Sequence, residues 1–182
     1  MRQRQKVVPL ATGRVLEVGI GSGLNLAFYD PASVSEVVGV DPSKEMVALA
    51  TDAARAAPFP VEFVTAGAEE MPLETGSFDS LVLTYTLCTI SDVESALREM
   101  ARVLKPGGSL LFCEHGLAPD AAVRRWQNGV DPVWRRLGGG CHLNRDIPEL
   151  IRNGGFAIDE IETMYLPGWR PASFNYWGSA SA

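Results

Sequence analysis

Three glycines at a spacing of two residues follow the first strongly apolar run of the sequence. This run, residues 14–18, contains Glu17 and is followed by Gly19, Gly21 and Gly23. Because glycine has no Cβ atom, it lets the backbone turn sharply and approach a ligand closely. The pattern is typical of nucleotide-binding turns, but NAD-binding and flavin-binding domains use similar ones. Taken alone, it also fits a turn that binds no ligand.

A carboxylate after the second apolar run supports nucleotide binding. Asp41 follows residues 37–40 and comes about 20 residues after the glycine turn, the spacing at which a carboxylate reaches ribose hydroxyls. Its alternative role is to cap the helix that begins near Ser43. Glu17, at the end of the first run, has the alternative role of binding a backbone amide. The preferred interpretation is a nucleoside-binding edge of a sheet.

Five segments in order resemble the class I S-adenosylmethionine-dependent methyltransferases. They are residues 17–23, 39–43, 66–72, 77–79 and 102–108. The combination is more specific than any one segment, and an NAD enzyme is not expected to carry Phe78-Asp79 together with Lys105-Pro106-Gly107-Gly108. The resemblance implies S-adenosyl-L-methionine as the cofactor and S-adenosyl-L-homocysteine as the product.

The resemblance also implies which residues bind the cofactor. Glu17 and the glycines face the methionine part, Asp41 holds the ribose, and Thr84 lies near the methionine amine. Ala68 and Glu69 lie beside the adenine, although Glu69 also fits a solvated turn carboxylate. The full implied set is Glu17, Gly19, Gly21, Gly23, Asp41, Pro42, Ala68, Glu69 and Thr84.

Segments in the C-terminal half carry a closer resemblance. Residues 86–88, 114–116, 125–127, 132–134 and 139–143 resemble the vertebrate thiol methyltransferases of the methyltransferase-like group and their bacterial relatives. The resemblance implies a small, lipophilic acceptor, with an alkyl thiol favoured over an amine or a quinol. The predicted wall of the acceptor site comprises Trp126, Gln127, Asp131, Trp134 and residues 139–143.

A thiol acceptor must lose its proton, because the thiolate is the nucleophile. The sequence has two histidines, His115 and His142, and either can accept a proton near neutral pH. Asp131 and Glu114 can orient a histidine or bind an amine. Structural hydrogen bonding is the alternative role of each. Cys141 and His142 are adjacent but have no second ligand cluster, so no metal is predicted.

Alternating β-branched runs and helical patterns predict an α/β fold. We expect a doubly wound, Rossmann-like, seven-stranded, mostly parallel sheet with an antiparallel edge strand and helices on both faces. The predicted strands are residues 14–18, 37–40, 61–64, 80–84, 109–113, 156–165 and 174–177. The first predicted helix is a short one after the glycine turn, and the next two are capped by Ser43 and by Ser91, the latter ending at Val103. Two further helices are predicted at residues 118–137, with a break at Pro132, and at residues 146–152.

Length and composition define the setting of this fold. The 182 residues, 46% of them hydrophobic, suit a single domain over residues 1–182. The leading helix before the first strand is expected to be short or missing, with residues 2–5 as its tail, and the cofactor pocket correspondingly exposed.

Charge and cysteine content narrow the partners. A net charge of -6 argues against broad electrostatic capture of nucleic acid, although the closely spaced Arg124, Arg125, Arg135 and Arg136 leave a local basic groove open. Three cysteines without a CxxC spacing favour reduced thiols in the cytoplasm. No transmembrane segment is predicted, and any membrane contact is expected to be peripheral. A small-molecule acceptor is therefore the expected partner. Two other functions stay open: a cofactor-binding protein with little turnover, and a methyltransferase acting on RNA or protein.

Overall fold

Seven strands join one sheet in the computed structural model, which describes residues 3–182. The strands are β1 (Gly13–Val18), β2 (Val34–Val40), β3 (Val61–Val64), β4 (Phe78–Thr84), β5 (Leu104–His115), β6 (Ala157–Tyr165) and β7 (Phe174–Ser181). Their order is β3-β2-β1-β4-β5-β7-β6, and β1 to β5 are parallel. Strand β7 runs antiparallel to both β5 and β6. The predicted mostly parallel sheet with an antiparallel pair at its edge is confirmed.

Five α-helices connect or precede these strands within the described residues. They are α1 (Arg4–Val7), α2 (Lys44–Ala56), α3 (Val93–Val103), α4 (Ala121–Leu137) and α5 (Ile147–Asn153), with short 3-10 helices at Val8–Leu10 and Arg170–Ala172. Residue 2, assigned from the sequence to the tail of a leading helix, lies outside the described residues. None of the helices in residues 3–182 is long and apolar enough to cross a membrane.

The sheet buries apolar side chains on both of its faces. Along β4, Leu81 and Leu83 pack into one core with residues of α3 and α5, whereas Val82 packs into the opposite core. That second core includes Val7 of α1 and Ala53 of α2. Because successive side chains of a strand point to opposite faces, a continuous apolar run requires helices on both sides. The predicted two-sided helical cover is confirmed.

The helix predicted immediately after the glycine turn is absent. Residues 21–28 form successive turns instead. Gly21 and Gly23 have φ angles of +54° and +75°, which lie outside the right-handed helical region. The side chain of Asn25 is also drawn inward, where it donates hydrogen bonds to Glu17 and Thr84. The chain here is shaped by the positive φ angles of the glycines and by buried polar contacts rather than by helical hydrogen bonds.

Two other details of the helices differ from the sequence predictions. Asp92, not Ser91, caps α3, because its carboxylate accepts from the Ser95 amide at 3.0 Å. Helix α4 continues through Pro132 without a break. Proline removes the hydrogen bond to the carbonyl four residues earlier, but Asn128 lies on the exposed side of the helix, where water can satisfy that carbonyl.

Asp79 joins the amino ends of three strands, at the opposite edge of the sheet from the glycine turn. Its carboxylate accepts from the Arg14 amide at 2.9 Å and from Lys105 Nζ at 2.7 Å. The Lys105 ammonium holds the pKa of Asp79 below its usual range. Strand β5 starts at Leu104, earlier than predicted, so the Lys-Pro-Gly-Gly segment lies within it. This motif serves the fold rather than the ligand site.

Candidate functional site

A cleft of about 930 Å³ opens at the carboxyl ends of β1, β2 and β4. In open α/β sheets, ligands bind at this edge where the strand order reverses, which here is between β1 and β4. Five of the predicted cofactor residues line the cleft: Gly19, Asp41, Pro42, Ala68 and Glu69. Residues after β4 and after α4 complete its wall, among them Tyr85, Thr86, Thr89 and Gly139. The site has the volume of a small-molecule pocket.

Gly19 joins the turn to the loop that follows β4. Its φ angle is +72°, and a Cβ atom at this position would overlap the Thr86 side chain. The Gly19 amide donates to the Val40 carbonyl at 2.7 Å, which ties the turn to the end of β2. A larger residue would therefore strain the backbone and displace the cleft wall. Gly21 and Gly23 also have positive φ angles but are not among the lining residues.

Asp41 is held at the cleft wall by two backbone amides. Its Oδ2 accepts from Gly21 N at 3.0 Å and its Oδ1 from Ser43 N at 2.9 Å, and the residue is 9% exposed. A carboxylate has about four lone-pair positions, so each oxygen can accept another hydrogen bond. The arrangement orients Asp41 rigidly and leaves acceptors for a diol in the cleft.

A buried polar network lies at the end of β1. Glu17 accepts from Asn25 Nδ2 and from the Tyr29 hydroxyl, both at 2.8 Å. Thr84 Oγ1 accepts from Asn25 Nδ2 at 2.9 Å and from Arg4 Nη1 at 2.7 Å. Sequence reasoning missed Arg4, Asn25 and Tyr29, because no motif marks them. In the described chain, Glu17 and Thr84 belong to this network and not to the lining of the cleft.

Burial dominates the ionisation of Glu17. It raises the pKa of Glu17 from 4.5 to about 7, although the hydrogen bonds from Tyr29 and Asn25 and the charge of Arg4 lower it. Between about pH 4.5 and 7, the folded protein therefore holds a proton here that the unfolded chain has released. In the absence of cofactor, the contribution of Glu17 to the free energy of unfolding should be greatest below about pH 4.5. That contribution should be lost as the pH rises through about 7.

The Glu17→Gln variant tests this ionisation. Relative to this variant, the wild-type protein should lose on the order of 3 kcal/mol of unfolding free energy between about pH 4.5 and pH 8. Urea denaturation at several pH values measures the difference. Glu70→Gln, which removes an exposed carboxylate, is the control and should follow the wild type. Parallel pH curves for wild type and Glu17→Gln would contradict the prediction.

His115 lies at the end of β5, beside a cysteine from the loop after α4. Its Nε2 is 3.2 Å from Cys141 Sγ, and its Nδ1 is buried without a hydrogen-bond partner among residues 3–182. Burial lowers the pKa of His115, but the Cys141 sulfur and the Glu114 carboxylate outweigh it, so the pKa is raised above its ordinary value. The structure thus brings His115 next to a sulfur atom.

Glu114 connects this histidine to the cleft wall. Its Oε1 accepts from Thr86 N at 2.8 Å and from Leu87 N at 3.2 Å, and burial raises its pKa to about 7. The carboxylate therefore fixes the loop that also packs on Gly19. Its role in the free protein is to position the wall rather than to face the cleft.

His142 and Asp131 form a second group, nearer to the surface. Asp131 Oδ1 accepts from Leu143 N at 2.8 Å, and its Oδ2 lies 3.2 Å from Arg135 Nε and 3.6 Å from His142 Nδ1. Burial and the Arg145 charge lower the pKa of His142. The structure places His115 and His142 in separate environments, and neither they nor Asp131 are among the described residues that line the cleft.

Of the predicted acceptor wall, Gly139 alone is among the described residues that line the cleft. Trp126 is 66% exposed and lies in a separate, shallow pocket with Arg125 and Gly129. Gln127 is fully buried, where it accepts from the Ala118 amide and donates to carbonyls of Gly116, Leu143 and Pro171. Gln127 thus holds three segments together. The contribution of the 138–140 glycines to the cleft is through Gly138 and Gly139.

The fold and the glycine-turn cleft define a doubly wound α/β nucleotide-binding class, and comparison with known proteins narrows it. Residues 16–112 match the family model described as a methyltransferase domain. The chain is 33% identical over 164 residues to the thiol S-methyltransferase TMT1B of Rattus norvegicus, covering 89% of this chain and 65% of the rat protein. It thus spans less than two thirds of that relative's length. The chain belongs to the S-adenosylmethionine-dependent methyltransferase family.

A second relative and a solved structure are also similar to this chain. The ubiquinone/menaquinone biosynthesis C-methyltransferase UbiE of Geotalea uraniireducens is 38% identical over 107 residues, which cover 56% of this chain and 45% of that protein. The crystal structure of a SAM-dependent methyltransferase from Methanosarcina mazei has a TM-score of 0.73 and 24% identity, covering 92% of this chain and 91% of that one. At that identity the likeness shows the fold.

S-adenosylmethionine is the cofactor of this family, and the residues around the cleft fit it. The volume suits a nucleoside with an amino-acid tail, and Gly19 leaves the backbone open to close approach. Asp41 offers acceptors for ribose hydroxyls, and the small side chain of Ala68 leaves room beside it for a flat base.

Proposed function

We propose that the protein transfers a methyl group from S-adenosylmethionine to a small, lipophilic thiol. The observation that carries this proposal is the position of His115: it lies against a sulfur atom, and Glu114 ties its strand to the loop that forms the cleft wall. The rat relative, a thiol S-methyltransferase by name, supports a thiol acceptor. The negative net charge disfavours an RNA substrate.

The cofactor residues have the following roles in this proposal. Asp41, with Pro42 beside it, accepts hydrogen bonds from the ribose, while Ala68 and Glu69 flank the adenine. The glycines at 19, 21 and 23 let the backbone approach the methionine part. Glu17 and Thr84 act through the network with Asn25, which shapes the turn next to the methionine amine.

The acceptor must be oriented and must lose a proton. When bound, S-adenosylmethionine supplies an electrophilic methyl group on a sulfonium sulfur, so the chain's main task is to align the acceptor sulfur with it. His115, in its neutral form, accepts the thiol proton at Nε2. The contact with Cys141 supports this role, because a sulfur atom already fits 3.2 Å from that nitrogen. His142, oriented by Asp131, is the second candidate for the proton acceptor.

A methyl-transfer assay with an acceptor panel tests the proposal. The purified chain is incubated with isotopically labelled S-adenosylmethionine and with alkyl thiols, amines and quinols of matched lipophilicity. Mass spectrometry should detect the S-methyl thioether as the main product. Cofactor binding without any methylated product would favour the cofactor-binding protein, and a methylated quinol or amine would replace the thiol. Transfer to RNA that weakens steeply with salt would favour a nucleic-acid substrate.

A further inference from the structure

Three side chains that soft metals prefer as ligands lie close together in the structure. The Sγ atoms of Cys88 and Cys141 and a ring nitrogen of His115 lie within 4.8 Å of one another. Each comes from a different part of the fold: the loop after β4, the end of β5 and the loop after α4. The three cysteines of the chain are free thiols, so both sulfurs are available as ligands.

We propose that Cys88, His115 and Cys141 bind a zinc ion whose fourth position takes the acceptor thiol. The part of this proposal that concerns the acceptor rests on the proposed function. Zinc binds cysteine sulfur at about 2.3 Å and histidine nitrogen at about 2.0–2.1 Å, which places tetrahedral ligand atoms roughly 3.5–3.8 Å apart. The observed separations require shifts of less than about 1.5 Å from this arrangement. Two cysteines and one histidine around an open position form a known catalytic ligand set.

The backbone around the three ligands is already held in place. The His142 amide donates to the Cys88 carbonyl at 2.8 Å, which joins the loop after α4 to the loop after β4. The Arg145 guanidinium donates to the carbonyls of Leu87 and Ile90, on both sides of Cys88. Because these contacts do not use the ligand side chains, metal binding requires only side-chain adjustment.

The exposure of the three ligand residues indicates from which side a fourth ligand can reach the zinc ion. Cys88 is 3% exposed, whereas Cys141 and His115 are half-buried. Cys141 also follows Gly138 and Gly139, which line the cleft. A ligand that completes the coordination must therefore approach from the side of Cys141, where the cleft wall ends. A small thiol meets this requirement, since sulfur is a soft ligand.

The ion changes how the acceptor loses its proton. A thiol that coordinates zinc is deprotonated, and its proton passes to solvent while the Zn–S bond forms. An electron pair of the acceptor sulfur then forms the bond to the methyl carbon, and the pair of the breaking carbon–sulfonium bond returns to the cofactor sulfur. The neutral thioether is a weaker ligand than the thiolate, and water replaces it. In the zinc-bound protein, His115 acts as a ligand and not as the proton acceptor.

Metal binding by the whole chain tests the inference directly. Plasma mass spectrometry should find one zinc per chain after equilibration with zinc and removal of free metal. Cobalt substitution should give a thiolate-to-metal charge-transfer band. Cys88→Ser and Cys141→Ser should weaken zinc affinity at least about 100-fold in chelator competition, because losing a ligand should cost at least as much as losing an outer-shell partner, which costs about 10- to 100-fold. Thermal melting and cofactor affinity establish that each variant is folded.

Cys113→Ser is the matched control. Cys113 is a buried cysteine of β5 that packs into the core containing Val82, so its loss should leave zinc affinity unchanged. No stoichiometric zinc at micromolar concentrations, or an equal loss in all three variants, would overturn the site. Equal thiol methylation by zinc-loaded and zinc-free protein would overturn its catalytic part and leave the proposed function standing. Zinc binding through these residues without any methyl transfer would instead overturn the proposed function and, with it, the role of the ion toward the acceptor, and would leave the zinc site standing.

Discussion

Asp41→Ala is expected to abolish measurable binding of S-adenosylmethionine. The substitution removes both oxygens that we assign to the ribose, and it leaves the Gly21 and Ser43 amides without their present partners. Hydrogen bonds to charged groups contribute about 1.5–3 kcal/mol each, so the loss of two corresponds to an affinity at least roughly 100-fold weaker. Isothermal titration calorimetry of the purified chain measures this loss.

Two variants make the Asp41 experiment specific. Asp41→Asn keeps one oxygen acceptor and should bind with intermediate affinity. Asp79→Ala removes another carboxylate that accepts from a backbone amide, but at the opposite edge of the sheet. It should lower stability and leave cofactor affinity unchanged. If Asp41→Ala binds as tightly as the wild type, the ribose assignment is wrong.

His115→Ala has the second large effect: cofactor binding should persist while methyl transfer slows. The loss of a positioned proton acceptor typically costs 100-fold to 10,000-fold in rate, and we expect a value in this range with the metal chelated. Since the neutral imidazole accepts the proton, the wild-type rate should rise with pH through a pKa above that of a free histidine. That rise should disappear in the variant. Single-turnover rates over a pH series, with calorimetry for binding, test both statements.

His142→Ala provides the comparison for His115. Its ring lies 3.6 Å from Asp131 near the surface, in a separate environment. We expect a rate decrease of less than tenfold. A larger loss for His142→Ala than for His115→Ala would transfer the proton-acceptor role to the His142–Asp131 pair. Similar losses in both would indicate that the histidines act through the shared loop.

The sequence predicted the sheet and the cofactor-facing turn well, because both depend on local patterns. A buried parallel strand needs a continuous apolar run, and the runs at residues 14–18 and 80–84 lie inside β1 and β4 as observed. A turn that needs positive φ angles selects glycine, so Gly19, Gly21 and Gly23 were visible from residue type alone. Local patterns misled where buried contacts outweighed them, as in the turns at residues 21–28.

The sequence was a poor guide to the proposed acceptor side of the site. Cys141 and His142 are adjacent in sequence and suggested no metal site, yet the structure joins Cys141 to His115 and Cys88 instead. The three belong to segments far apart in the chain, and only the pairing of β4 with β5 and the docking of the loop after α4 bring them together. The structural role of Gln127 was likewise not predictable from the sequence. Its side chain forms hydrogen bonds with four backbone groups of other segments, which only the fold brings together.

The sequence by itself therefore determined the fold class, the family and the glycine turn with Asp41, because each of these depends on residue patterns within short segments of the chain. The tertiary structure alone decided the buried Arg4–Asn25–Glu17 network and the group formed by Cys88, His115 and Cys141. Contacts between distant segments depend on strand order and packing, which no local pattern records. The chemistry proposed for this protein depends on both, because the cofactor side is locally encoded and the acceptor side is assembled by the fold.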